Sequence, residues 1–513
     1  MKKQSLIRAS LILGIAGILT RFLGLFFRWP LIMLIGDEGV GYYQMSYPLY
    51  MFFVAMASGI PVAMSKIISE NNAVGDIRGS FEVVKESTIL MLFIGTGTSF
   101  ILFFFAKPII SFLQWDPKAY YSLIGISFAP IIISIMTIFR GFFQGLQNMT
   151  PSAISQILEQ VGRVVFGVGI AIVLLPKGIE FSAGGAAFGA AAGGIIGGTY
   201  LFIKYLKIKK AYGIKKVKTN PVLLSKILKI AIPISLGTTV GSIMSLIDSI
   251  MVPKELLSAG FSNQQATILY AQLTGKAAVI VNIPLTLSMA LCTSLIPIIA
   301  ESYVLKRKRD VESKINLSLK LSTVIGIPCL FGVFFMAEPI MKFIFPGRFE
   351  GVEILKYLSL SIPFIIITQT TTSVLQGIGS YILPVVNLLI GCIVKVVLTM
   401  ILVPLPNMNI YGAVVASIGA YVVATILNII TMKIKLKTKM DLYGNFIKPA
   451  YAASFMIIGV LLTYNVLYRN TLSNTISCLL SISLGAIIYG AGIFILRVFK
   501  VSDVKSRFVR RKI

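Results

Sequence analysis

The sequence predicts an all-α, polytopic membrane protein. Fourteen transmembrane helices are expected, as two six-helix lobes plus two C-terminal helices, with both termini in the cytoplasm. Three observations predict this. Of 513 residues, 56% are apolar and only 13% are charged, against about 25% charged in soluble domains, and mean hydropathy is +0.88. Apolar runs of about 20 residues, the length that crosses a bilayer, recur along the whole chain. Basic residues alternate between the connections. A soluble fold with so little polar material could not cover its surface, which excludes a soluble enzyme, a disordered chain and a fibrous protein.

In chain order, the runs lie near 9–35, 44–66, 87–113, 119–145, 152–175, 183–203, 230–252, 277–300, 317–345, 354–376, 381–405, 410–432, 446–468 and 474–496. The first follows Lys2, Lys3 and Arg8 like a signal peptide. Its run continues through Arg21 and Arg28 without a small-residue cleavage site, so it reads as a helix. With the N-terminus inside, the inner segments (the N-terminus, 66–85, 204–229, 306–314, 433–448 and 497–512) hold 32 Lys and Arg. The outer loops hold five: Lys118, Lys177, Lys254, Arg348 and Arg469. This asymmetry is the positive-inside pattern. It explains most of the net charge of +28 and removes the case for nucleic acid. Loop 204–229 is also suited to contact with anionic lipid. The expected boundaries are 1–210 for the N-lobe, 211–440 for the C-lobe and 441–513 for the last two helices and a basic tail.

The chain has no His, which excludes a His relay, a His metal site and a Ser-His-Asp triad. Cys292, Cys329, Cys392 and Cys478 are far apart in apolar runs and read as small buried hydrophobes. No phosphate-loop pattern occurs, and no cofactor or metal is expected. Gly184–Gly198 carries small residues at four-residue spacing, suited to close helix packing in lipid.

An internal repeat is legible. Pro48-Leu49 and Ser58-x-Ile60-Pro61 recur as Pro284-Leu285 and Ser294-x-Ile296-Pro297. Gln144-Gly145 and Arg163-Val-Val recur as Gln376-Gly377 and Lys395-Val-Val, and Gly185-Ala186 recurs as Gly412-Ala413. Six spans separate the copies, so they run parallel about an axis along the membrane normal.

Ionisable groups at bilayer depth usually face a cavity or a partner. Gly14, Gly17, Arg21, Gly24 and Arg28 share one face of span 1, with the two guanidiniums about 10.5 Å apart along the axis. They suit an anion, although Arg28 can also reach the interface beside Trp29. Span 5 presents Ser152, Gln156, Glu159 and Arg163 on one face, with Glu159 and Arg163 spaced for an ion pair. That pair either neutralises itself or belongs to a site. Lys395, with Asn387 and Gly391 before it and no acid in its helix, is the better candidate for meeting an external anion. Arg140 fits either snorkelling or the cavity. Asp248 fits either a coupling cation or a cavity Arg, and Lys276 falls near the outer mouth of span 8. Pro61, Pro284 and Pro297 are candidate hinges. Interior cations outnumber anions, so the expected ligand is anionic and translocation is favoured over chemistry.

The residues also carry a resemblance. Tyr270-Ala-Gln-Leu-Thr-Gly-Lys276, Asn282-Ile-Pro-Leu-Thr-Leu287, Thr293–Ser302, Ala57–Lys66, Phe139–Gly145 and Met149-Thr-Pro-Ser152 resemble the stage V sporulation protein B family. That family lies on the polysaccharide side of the multidrug/oligosaccharidyl-lipid/polysaccharide (MOP) superfamily, with MurJ lipid II flippases and MATE exporters. The resemblance covers essentially the whole chain. It implies two lobes around a cavity opening alternately to each side, and a lipid-linked cell-wall precursor, lipid II for the spore cortex, as cargo. It places Arg21, Arg28 and Lys276 at cationic cavity positions, and spans 13 and 14 where a lipid tail is held. The Arg expected in span 2 is absent, since Phe52, Phe53 and Val54 stand there; Arg163 or Lys395 is the candidate replacement. The implied setting is the cytoplasmic membrane, extending to the outer forespore membrane. Membrane lipids are partners there, cell-wall synthases are candidate ones, and a monomer is favoured. Another wall polysaccharide precursor, a drug exporter, a membrane glycosyltransferase and a sporulation scaffold are the other readings.

Overall fold

The computed structural model describes residues 6–214, 220–436, 441 and 443–499. Among them every regular element is a helix. The basic tail beyond 499 and the basic residues of 215–219 and 437–440 lie outside the described residues.

Two compact units divide the chain, Met1–Ala271 and Gln272–Ile513. The first contains α1 (Leu6–Ala57), α2 (Gly59–Ala73), α3 (Ile77–Phe104), α4 (Ala106–Leu113), α5 (Tyr120–Ser127), α6 (Ala129–Gly145), α7 (Met149–Leu174), α8 (Ile179–Ala211), α9 (Pro221–Ser258) and α10 (Asn263–Ala271). The second opens with a π-helical turn, Gln272–Ala277. It continues through α11 (Ala278–Val304), α12 (Lys308–Phe335), α13 (Ala337–Ile344), α14 (Val352–Leu358), α15 (Ile362–Gly377), α16 (Ile382–Leu402), α17 (Asn409–Leu436), α18 (Lys448–Thr471) and α19 (Asn474–Ile495).

Thirteen helical segments among the described residues are long and apolar enough to cross a membrane. The sequence count of fourteen divides the first of these, Ile12–Ala73, in two. Its 62 residues would extend about 93 Å at 1.5 Å per residue, roughly three hydrocarbon thicknesses. The backbone leaves helical geometry inside it at Gly36 (φ 65°, ψ −172°), a conformation that glycine adopts without a Cβ clash.

Three further breaks share one cause. A proline has no N–H for the carbonyl four residues earlier, and its ring crowds that carbonyl. Pro61, Pro108 and Pro339 stand four residues after Ala57, Phe104 and Phe335, which are the last residues of α1, α3 and α12. The expected spans 87–113 and 317–345 are therefore each a membrane-length helix followed by an eight-residue amphipathic one, α4 or α13. Helix α11, by contrast, runs unbroken through Pro284.

The repeat is visible in the packing of each unit. In the first, Gly145 of α6 seats on Ser65 and Ile68 of α2; in the second, Gly377 of α15 seats on Ile296 and Ile299 of α11. The pair α7–α8 runs antiparallel with Gly185 against Ile170, Gly189 against Gly167 and Gly193 against Gly162 and Glu159. In α16–α17, Gly412 meets Leu402, Gly419 meets Leu398, and Gly391 meets Ala420. The last two helices pack on each other and on α12 around Met456, Val460 and Cys478, and the Tyr489 hydroxyl donates to the Val324 carbonyl at 3.0 Å.

Candidate cationic site

The glycine stripe of α8 decides how deeply α7 is seated. A Cβ on Gly193 would stand 2.2 Å from the Glu159 carbonyl oxygen, and one on Gly189 would stand 3.0 Å from that of Arg163. The expected packing role of Gly184–Gly198 therefore holds this stretch of the α7 backbone tight against α8. On its other side α7 packs along α1: Gly24 lies beside Gln160, and Phe27 lies against Gly167.

Glu159 is shared between two guanidiniums. Arg140 Nη2 donates to Glu159 Oε2 at 2.8 Å, and Arg140 Nε donates to Ser155 Oγ at 2.8 Å. Arg163 Nη2 stands 3.6 Å from Glu159 Oε1. The three side chains are 14%, 16% and 12% exposed, so solvent screens them little and the carboxylate is a strong counter-ion. One carboxylate against two guanidiniums leaves one positive charge in surplus. Arg140 is tied inward rather than snorkelling.

Tyr47 completes the surroundings of Arg163. Its ring centroid lies 5.9 Å from the guanidinium carbon, its hydroxyl accepts from Nη1 at 3.4 Å, and Arg163 Nε is buried with no hydrogen-bond partner. Tyr43 and Tyr50 flank Tyr47 at centroid distances of 5.4 and 5.8 Å. Arg28 and Arg163 both lie within electrostatic reach of the Tyr43 hydroxyl. Arg163, Glu159 and Arg140 form one cluster beside the Tyr47 ring. None of the three tyrosines carries a charge or motif that marks it in the sequence, although spacings of four and three place them on one helix face.

Arg140 also walls a recess of about 150 Å³ at the Pro61 break, together with Phe53, Ser58, Pro61, Ser134 and Thr137. An engineered cavity of about this volume accommodates benzene. The break is held by α9: Gly59 N–H donates to Ser235 Oγ at 3.1 Å, and the Ser58 and Thr238 hydroxyls are 2.7 Å apart. Phe53, from the stretch that lacks the expected span-2 Arg, and Arg140 line this same recess.

The remaining expected residues lie elsewhere. Arg21 is exposed on α1, and Gly14 and Gly17 have open space beside them. Asp248 is half-buried on α9, next to Ser249, whose hydroxyl donates to the Met45 carbonyl at 2.7 Å. In the second unit Lys276 sits fully buried in the π-helical turn. Its ammonium donates to the Arg348 carbonyl at 2.7 Å and pairs with Glu350 Oε2 at 3.3 Å. Lys395 is 2% exposed on the face of α16 that also buries Asn387, Gly391 and Thr399. Asn387 there donates to Asn428 Oδ1 at 2.9 Å. The side chain of Pro297 lies outside the described residues.

With this geometry in place, relatives give the chain a family. The "Polysaccharide biosynthesis protein" family model matches residues 6–303, and the MatE model matches 233–401. Stage V sporulation protein B of Bacillus subtilis (strain 168) is 30% identical over 474 residues, covering 90% of this chain and 88% of that protein. The lipid II flippase MurJ of the same organism is 27% identical over 455 residues, covering 84% and 83%. Among solved structures, "Lipid II flippase MurJ, inward closed conformation" superposes with a TM-score of 0.72 at 16% identity, covering 94% of this chain and 98% of that one. An inward-facing multidrug resistance MATE transporter gives 0.69 at 16% identity, covering 81% and 94%. These likenesses are to transporters and flippases rather than enzymes. The chain belongs to the polysaccharide biosynthesis protein family and, with it, to the MOP superfamily of membrane transporters.

Proposed function

We propose that this protein is a flippase for an undecaprenyl pyrophosphate-linked peptidoglycan precursor, lipid II. It works by alternating access across the cytoplasmic membrane, with fourteen passes and both termini inside. The observation that carries the reading is the Arg140–Glu159–Arg163 cluster, an interior charge surplus that suits a diphosphate. Guanidiniums engage phosphate oxygens as charge-assisted, bidentate donors. Arg21, Arg28 and Lys395 add cations along the route in this reading, and Lys276 acts at its outer mouth. Asp248 is the candidate coupling acid; membrane potential and downstream consumption of the cargo are the other sources of drive. Lobes 1–210 and 211–440 are the moving parts, with Pro61, Pro284 and Pro297 as hinges and 441–513 holding the lipid tail. The likeness to stage V sporulation protein B supports a role in sporulation; in this proposal the role is spore cortex synthesis at the outer forespore membrane, as a monomer beside cell-wall synthases.

Another lipid-linked wall polysaccharide precursor shares the diphosphate and is the second reading. A cationic drug is disfavoured by the same charge surplus. Arg21→Ala and Lys395→Ala are each expected to abolish complementation of a deletion strain at normal protein abundance. Full complementation by both would remove these two cations from the route.

A further inference from the structure

A second cavity in the first unit shares no lining residue with the recess at Arg140. It is an open groove of about 920 Å³ between α4, the start of α5 and the α9–α10 junction, within the size range of pockets for organic ligands. Its walls are aromatic. Trp115 is buried, and its indole N–H donates to the Ser249 carbonyl at 2.7 Å, which fixes the ring. Tyr120 and Tyr121 stand edge to face at 5.5 Å, and the Lys107 ammonium lies 5.8 Å from the Tyr120 centroid.

The polar lining is uncommitted. Gln114 and Asn263 are exposed, and their side-chain amides make no hydrogen bond among the described residues. Helix α10 does not use Asn263 as a cap. Ser262 Oγ accepts from the Gln265 N–H at 3.2 Å, and Gln265 Oε1 accepts from the Ser262 N–H at 3.0 Å. Gln114 ends α4 in the left-handed region (φ 54°), where glycine is the low-strain residue. The equivalent stretch after α13 reads Phe345-Pro346-Gly347, with neither amide nor tryptophan, so the groove is not a by-product of the repeat.

Two partly exposed tyrosine rings beside the anchored indole, two amides with no protein hydrogen bond among the described residues and one ammonium form a recognisable set. Aromatic rings stack on the C–H faces of pyranoses, amides pair with hydroxyl and acetamido groups, and an ammonium meets a carboxylate. We propose that this groove binds an N-acetylated saccharide, acidic sugars included, at the end of the first unit that the basic-residue asymmetry assigns to the outside. Its place in delivery of cargo rests on the flippase reading; the binding itself does not.

The chain has two tryptophans, so Trp29→Phe leaves Trp115 as the sole emitter. The detergent-solubilised chain carrying this change is titrated with N,N′-diacetylchitobiose and N-acetylmuramic acid, with maltose as control, and separately with lipid II in nanodiscs. A saturable change in Trp115 emission is expected for the N-acetylated sugars but not for maltose, with a half-point on the order of 1 mM. Gln114→Gly with Asn263→Ala is expected to raise that half-point at least tenfold. The Gly substitution relieves the left-handed residue, so loss of binding cannot be ascribed to misfolding, and the thermal midpoint checks this. A response to lipid II alone would assign the groove to the tethered sugar, and a response to both would assign it to the saccharide itself. No saturable change with any of them, or no effect of the double variant, would overturn the proposal. Translocation is read separately in vesicles: binding without translocation defeats the flippase reading and leaves the groove standing, whereas translocation without binding defeats the groove.

Discussion

Glu159 is the residue on which the interior charge of the first unit turns. Removing one partner of a buried ion pair costs about 3–5 kcal/mol, because the remaining charge loses its compensation. Glu159→Gln strands two guanidiniums and is expected to lower the thermal midpoint strongly. Glu159→Gln combined with Arg140→Gln restores the native surplus of one charge and is expected to recover much of the loss. A double variant no more stable than the single would remove the shared-carboxylate arrangement. Sequence spacing made the Glu159–Arg163 pair legible because i and i+4 share a helix face. Arg140 was not legible as a partner, since it reaches Glu159 from another helix across the turn at 146–148, where no periodicity applies. Outside the spans, burial raises the Asp116 carboxyl above its usual range. Glu38 and Glu180 push the same way, against the backbone N–H and ammonium of Lys118. The folded state then holds this proton more tightly than the unfolded chain. Its contribution to stability is complete below about pH 3.9 and fades as pH rises through the raised value. Asp116→Asn is expected to flatten that part of a plot of thermal midpoint against pH.

Among the elements, the α7–α8 pair makes the sharpest statement about packing. Overpacking a tight contact costs about 1–3 kcal/mol. Gly193→Ala places a methyl against the Glu159 carbonyl and is expected to be destabilising, whereas Gly169→Ala, with nothing within 4 Å, is expected to be neutral. Equal thermal midpoints would mean that the stripe does not seat the site helix. This stripe was legible because small residues at four-residue spacing have few other uses in lipid. Helices α4 and α13 were hidden inside expected spans, since eight mostly apolar residues after a membrane-length run barely change the hydropathy. Their signal was Ala106-Lys-Pro-Ile set against Ala337-Glu-Pro-Ile, at nearly the offset of the other repeats.

At the scale of the whole molecule, the hydropathy runs and the repeat carried most of the architecture, because both are properties of pattern rather than of contact. Gln144-Gly145 and Gln376-Gly377 were matched as letters, and Gly145 and Gly377 turn out to seat equivalent helix pairs in the two units. Lys276 and Lys395 show the limit of such reading. The residue type was visible, but burial against the Arg348–Glu350 turn and on the inner face of α16 depends on chain segments far away in sequence. In the proposed orientation the net charge of +28 divides into a large share on the inner connections and a small surplus within the helices, and the surplus is what the flippase proposal uses. The most direct measurement is reconstitution of the purified chain into vesicles carrying lipid II, with its appearance in the opposite leaflet scored enzymatically. Transfer well above protein-free vesicles, reduced at least tenfold by Arg140→Ala with Arg163→Ala, is the expected result. Competently folded protein that leaves lipid II in its original leaflet would show that this chain is not its flippase.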